Sequence, residues 1–157
     1  MTSFSNLIML FLGIEILSIP LYVLAGGKKA SYRSNEASFK YFMLGSFATT
    51  IFLFGIALVY GASATFYLPE IKAYIAQFNG NLPPMLLVGL LFIVIGVAFK
   101  VAVAPFHFWS PDVYEGSPTL ITAFMATVVK TAGFAAFYRL LTIGLVPMPV
   151  PLEKALW

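Results

Sequence analysis

The sequence predicts an all-α integral membrane protein with four transmembrane helices, and three observations carry that prediction. Of its 157 residues, 61% are hydrophobic and only 10% are Asp, Glu, Lys or Arg, where a soluble domain carries roughly 25% charged residues. Its mean hydropathy is +0.94, too high for a surface that must face water on all sides. The apolar residues also fall into four runs, each at or above the roughly 20 residues that a helix needs to cross the hydrocarbon core. Helices are expected because lipid offers no water to satisfy a strand edge. Four spans are too few for a closed barrel.

The first run covers residues 4–25. It lacks a basic leader and a small-residue cleavage site after a short apolar core, so it reads as a span and not as a cleaved signal. The polar loop 26–40 follows, with Lys28, Lys29, Arg33 and Lys40 against a single Glu36. The positive-inside rule places this loop in the cytoplasm and the N-terminus outside. Glu36 and Lys40 form an i,i+4 pair in the favoured order, expected to support a helix end. The second span covers residues 41–60. In residues 68–78, Leu68, Ile71, Tyr74, Ile75 and Phe78 share one helical face, which predicts an amphipathic helix lying at the outer interface. Asn79–Gly80 and Pro83–Pro84 then break the chain. The third span is predicted over residues 85–113 with a break near Pro105, because proline lacks an N–H and disfavours helix at the residue before it. The fourth covers residues 120–143. In it Ala132, Gly133, Ala135 and Ala136 are small enough to permit close helix packing. Trp109 fits an interfacial aromatic belt.

Composition excludes several functions. The chain has no cysteine and one histidine, so it cannot by itself hold a disulfide framework, a thiolate zinc site, an Fe–S cluster or a multi-histidine haem site. The net charge of +3 reads as topology signals and interface anchors, and no nucleic-acid partner is expected.

The informative residues are ionisable groups inside the apolar runs. Glu15 lies near the middle of the first run and Lys130 near the middle of the fourth. Lys100 sits at the centre of the third if that span continues past Pro105, and His107 lies just beyond the break. Each charge at a helix centre costs about 2.5–3.5 kcal/mol on an insertion scale, and near the midplane these side chains are too short to reach water. They must pair, neutralise or border a hydrated cavity. A structural ion pair holding helices together is one reading of any single member; the set of three, with a histidine beside a break, points to an ion or proton pathway. An imidazole there can relay a proton between neighbours, or simply bond the backbone carbonyl freed by Pro105. Protons suit these residues better than metal ions. Desolvation favours a neutral amine and a nearby carboxylate favours an ammonium, so a lysine with a movable partner loads and releases protons. A protonated lysine has no lone pair to offer sodium.

The segments "GVAFKVAVAPFHFWSPDVYEGSPT", "TAFMATVVKTAGFAAFYRL" and "FLGIEILSIPLYVLAG" resemble the antiporter-like membrane subunit N of bacterial NADH–quinone oxidoreductase, respiratory complex I. Pro-Asp-Val-Tyr-x-Gly after the Lys-x-x-x-x-Pro-Phe-His pattern favours subunit N over the related subunits L and M. The resemblance implies an antiporter-like inverted-repeat fold and a proton-translocating role coupled to quinone reduction. Residue by residue, it implies that Glu15 tunes Lys100 and that Lys100 and Lys130 exchange protons through His107. The chain itself is expected to carry no cofactor and no electrons; NADH, FMN, Fe–S clusters and a quinone belong to the whole complex. Other membrane subunits of complex I and the lipid bilayer are the expected partners, in the bacterial inner membrane. Such subunits are longer, with two repeats, so the chain is expected to be one part of a larger protein. Two alternatives stay open: a subunit of a cation/proton antiporter or membrane-bound hydrogenase, and a structural membrane protein with buried ion pairs.

Overall fold

A computed structural model describes residues 2–78 and 81–144; the predicted break at Asn79–Gly80 lies outside the described residues. All regular elements among them are helical, and four helices are long and apolar enough to cross a membrane. They are α1 (Leu7–Ala25), α2 (Tyr32–Ser63), α4 (Pro84–Val101) and a last stretch, Thr119–Thr142. The short helices α3 (Leu68–Ala76) and α5 (Ser110–Gly116) lie between them.

Helix α1 is capped by Asn6, whose side chain accepts from Ile8 N–H at 2.8 Å. Leu7, Leu10, Ile14, Ser18, Leu21 and Ala25 form its buried stripe, at the three- and four-residue spacing of one helical face. Helix α2 begins at Tyr32, well before the predicted 41. Ser31 caps it, accepting from Ser34 N–H, and the Ser34 hydroxyl donates to the Ala25 carbonyl at 2.8 Å, which fixes the turn from α1. At 32 residues and about 1.5 Å per residue, α2 is longer than the ~30 Å hydrocarbon core. Its first turns, with Arg33, Glu36 and Lys40, therefore project past the span.

Helix α4 sits at the centre, with Leu86, Leu90, Ile93, Val97 and Phe99 buried on several sides. It packs most extensively along α2, and glycines let the two backbones approach. A Cβ at Gly55 would lie 2.8 Å from the Gly89 carbonyl, and one at Gly96 would lie 2.5 Å from the Phe52 Cβ.

The short helix α3 corrects an expectation. Its apolar face is not left for the bilayer: Leu68, Ile71 and Ile75 are buried in one cluster with Leu7, Leu86, Leu90 and Leu140. Two backbone bonds, Leu7 N–H to Phe66 and Leu68 N–H to Ser5, both 3.0 Å, tie the start of α3 to the start of α1. That docking gives the apolar face of α3 a protein partner.

The last stretch is built from α6 (Thr119–Phe124), a π-helical turn (Met125–Val129), α7 (Lys130–Arg139) and a second π turn (Leu140–Gly144). Met125, Val129, Gly133, Ala136 and Leu140 make its buried stripe. Of the four small residues named above, Gly133 and Ala136 lie in this seam, a Cβ on Gly133 falling 2.8 Å from Val101. Ala135 is exposed.

The third span is broken, and the break starts at Ala102, three residues before Pro105. Ala102 has φ 55 and ψ 47, its N–H bonds Phe99 and the Val103 N–H bonds Ala98, both at 3.1 Å. These are the two bonds of a Schellman motif, the left-handed ending that stops a helix. Residues 102–109 then run irregularly, through a cis Ala104–Pro105 peptide, to α5.

Candidate functional site

The break leaves backbone carbonyls without their helical donors. In an α-helix the carbonyl of residue i accepts from the N–H of residue i+4. For Val101 that residue is Pro105, which has none. The Lys130 ammonium takes this carbonyl instead, donating to it at 2.8 Å. The indole N–H of Trp109 takes the Phe99 carbonyl at 3.1 Å. Two side chains therefore complete the end of α4, one from the fourth span and one from beyond the break.

Lys100, at the last turn of α4, is only 7% exposed. Its ammonium donates to the Ser18 hydroxyl of α1 at 2.5 Å and to the Tyr41 hydroxyl of α2 at 3.5 Å. The Ser18 hydroxyl in turn donates to the Ile14 carbonyl. Beside these groups is a cavity of about 10 Å³, bordered by Ser18, Tyr22, Tyr41, Gly45, Thr49 and Lys100. That is about the smallest space that holds one water.

Glu15 is not in salt-bridge contact with Lys100. Its Oε1 accepts from the Thr49 hydroxyl at 2.9 Å, and the side chain that reaches Lys100 is Ser18, three positions on along the same face of α1. Glu15 and Lys100 therefore have separate hydrogen-bond partners, Thr49 for the carboxylate and Ser18 and Tyr41 for the ammonium. Among the described residues, salt bridges occur only at the loop end: Lys40 to Glu36 and to Asp112, both 2.8 Å, and Arg33 to Glu115 at 3.5 Å. The Glu36–Lys40 pair forms as a helix-end contact, and its lysine also fastens α2 to α5.

An aromatic stack stands between the two lysines. Tyr41 and Trp109 lie parallel within 8°, ring centroids 5.0 Å apart. Lys100 sits 5.7 Å from the Tyr41 centroid and Lys130 sits 5.3 Å from the Trp109 centroid. Both rings are buried, at 2% and 3% exposure, so each ammonium rests against a desolvated π system. Trp109 is therefore not part of an interfacial belt. The turn after Pro105 folds it back into the core, where its N–H is needed at the end of α4.

His107 is exposed, and its only hydrogen bonds among the described residues are accepted by its backbone carbonyl, from the Ser110 N–H and hydroxyl at 3.0 Å each. The position between the lysines expected for its imidazole is occupied by Trp109, and the carbonyl freed by Pro105 is taken by Lys130. The structure thus brings Lys100 and Lys130 to one cluster around Tyr41 and Trp109, with Glu15 bonded to Thr49 beside it and His107 outside. Ser18, Tyr41, Thr49 and Trp109 were not singled out by sequence as site residues. Ser18 could have been found, being three residues after Glu15 on one helix face; the aromatic pair could not. No group of His, Asp or Glu suited to a metal occurs among the described residues.

Comparison with known proteins places the chain in a family. Residues 5–149 match the family described as NADH:quinone oxidoreductase/Mrp antiporter, TM. The chain is 51% identical over 156 residues to NADH-quinone oxidoreductase subunit N of Cytophaga hutchinsonii, covering 99% of this chain and 33% of that protein. Among solved structures, it is similar to a chain of respiratory complex I from Thermus thermophilus, at 40% identity and a TM-score of 0.77, covering 99% of this chain and 32% of that one. It is also similar to a chain of the membrane-bound sulfane sulfur reductase, an archaeal respiratory membrane complex, at 32% identity and a TM-score of 0.80, covering 97% and 31%. The chain spans about a third of the length of the curated relatives it matches.

Proposed function

The chain belongs to the NADH:quinone oxidoreductase/Mrp antiporter transmembrane family, and from that premise we propose that it is a proton-translocating segment of the subunit N type. In this reading it works in the membrane arm of an NADH–quinone oxidoreductase, coupling quinone reduction to proton movement across the bacterial inner membrane. Lys100 and Lys130 are the proton-carrying groups, and Glu15 modulates Lys100. Loop 26–40 faces the cytoplasm and the N-terminus the outside. Neighbouring membrane subunits and lipid cover the exposed apolar faces. NADH, FMN, Fe–S clusters and quinone act in the rest of the complex, since this chain offers no cysteine to a cluster.

One observation carries the reading. Lys100 is a buried amine whose contacts are two neutral hydroxyls, with no carboxylate in ion-pair range. A structural role predicts a closed ion pair, because an uncompensated buried charge is costly. A group that must gain and lose a proton needs the opposite, partners that tolerate both states. Hydroxyls do, since each can donate or accept.

The test is Lys100→Met in the intact oxidoreductase. A lower proton-to-electron stoichiometry is expected, and an undiminished one would reject the role. The antiporter or hydrogenase alternative is separated by gene context, which would place antiporter or hydrogenase subunits beside this one.

A further inference from the structure

The threonine hydroxyls inside the spans fall into two kinds. Thr50, Thr127, Thr131 and Thr142 each donate to the carbonyl four positions back, those of Ser46, Ala123, Thr127 and Tyr138, at 2.7–2.9 Å. That back-bond is the partner a threonine finds within its own helix. Thr49 departs from it. Its hydroxyl donates out of α2 to the Glu15 Oε1 on α1, at 2.9 Å. A hydroxyl has one proton to give, so this bond takes the whole donor capacity of Thr49.

Ser18 does not duplicate it. Although Ser18 stands three positions from Glu15, its single proton goes to the Ile14 carbonyl, and its oxygen receives Lys100. Among the described residues, Thr49 is thus the side chain that donates to the carboxylate. Thr49 and Lys100 border the same small cavity, and Lys100 is the one charged residue of those that line it. A carboxylate that lost the Thr49 proton would have that ammonium as its charged donor. Bonds in which donor and acceptor are ionised are the strong ones.

We propose that Thr49 is the positioning residue for Glu15, its hydroxyl holding the carboxylate to α2 and keeping it from closing on Lys100. The assignment deepens the proton-translocation reading and rests on it. With the carboxylate held, Lys100 keeps its hydroxyl partners. With it released, a closed ion pair would form, and a buried pair is costly to break. Thr49 acts on the lysine through Glu15 and itself carries no proton.

The experiment uses the intact oxidoreductase reconstituted in vesicles, with Thr49→Val, Thr49→Ser and Glu15→Gln, Thr49→Val on a Glu15→Gln background, and Lys100→Met. Valine matches threonine in shape and lacks the proton; serine keeps the proton and lacks the methyl group. Thr49→Val is expected to lower coupled proton flux by about tenfold, the effect of losing a hydrogen bond to a charged group. Thr49→Ser is expected to recover most of it, the reverse of the order that a packing role gives. On the Glu15→Gln background, Thr49→Val is expected to cost nothing further, because the carboxylate it positions is gone. If the valine variant fails to assemble, Thr49→Ala replaces it and the comparison with serine decides. Flux lost alike in the valine and serine variants, or lost further by valine on Glu15→Gln, would overturn the positioning role. Parental flux in Thr49→Val, with flux lost in Lys100→Met, would overturn it too and leave the functional reading standing. Parental flux in Lys100→Met as well would overturn both.

Discussion

The Lys130 ammonium and the Val101 carbonyl are joined at 2.8 Å because the left-handed ending at Ala102 turns the chain away and leaves that carbonyl without a helical donor. A helix ending in one span thus creates the acceptor that seats a lysine of another. Pro105→Ala removes the residue that bars helix over the preceding turn, so α4 should extend past Ala102 and its backbone compete with Lys130 for Val101. The expected result is a reduced proton-to-electron stoichiometry in the intact oxidoreductase with assembly retained. Pumping at the parental level would show that the Val101 bond does not position Lys130.

The end of α4 makes a second prediction, about stability. Ala102 occupies the left-handed region at φ 55, where an L side chain costs roughly 1–2 kcal/mol and glycine is the usual residue of the motif. Ala102→Gly should stabilise the detergent-solubilised protein by about 1 kcal/mol. Ala102→Val should destabilise it, since a β-branched residue is a stronger outlier there. Chemical denaturation of both variants measures the difference, and a glycine variant less stable than its parent contradicts the account.

How the site is read from sequence depends on which costs are independent of the fold. Glu15, Lys100 and Lys130 stood out because a charge in an apolar run is expensive wherever the chain goes. The four spans stood out for the same reason, since lipid sets their length. The break near Pro105 was visible, but its start at Ala102 was not, because a Schellman ending is normally announced by glycine. The partners were hidden. Trp109 and an interfacial tryptophan have the same composition, and only the turn after Pro105 decides between them. The face of α3 has the periodicity of a lipid-facing helix and of a docked one alike. Sequence spacing likewise placed His107 beside the break without giving its direction.

The Tyr41–Trp109 stack yields a third prediction. Trp109→Phe keeps an aromatic face but removes the indole N–H from the Phe99 carbonyl and weakens the cation–π contact with Lys130, which tryptophan makes best. Trp109→Leu removes both. Proton flux is expected to fall in the order parent, phenylalanine, leucine. Equal flux in phenylalanine and leucine variants would show that the ring itself contributes nothing to holding Lys130.

The last prediction concerns the seam that holds α2 against α4. A Cβ at Gly55 would meet the Gly89 carbonyl and the Ile93 nitrogen, both at 2.8 Å. These are backbone atoms that cannot rotate away, so Gly55→Ala must push the helices apart. Overpacking of this kind costs typically about 1–3 kcal/mol, more than the roughly 1 kcal/mol that alanine gains over glycine within a helix. Gly61, on the same helix, gives the opposite sign. Its nearest neighbour is the flexible end of Met85 at 3.5 Å, an ordinary contact, so Gly61→Ala should be neutral or stabilising. Denaturation in detergent compares the two directly. Because both substitutions add one methyl group to the same helix, a loss confined to Gly55→Ala isolates the close backbone approach as its cause. That approach also sets the position of Lys100 relative to Tyr41, one residue on α4 and the other on α2. A destabilised Gly55→Ala protein should therefore lose proton flux as well, without any change to an ionisable group.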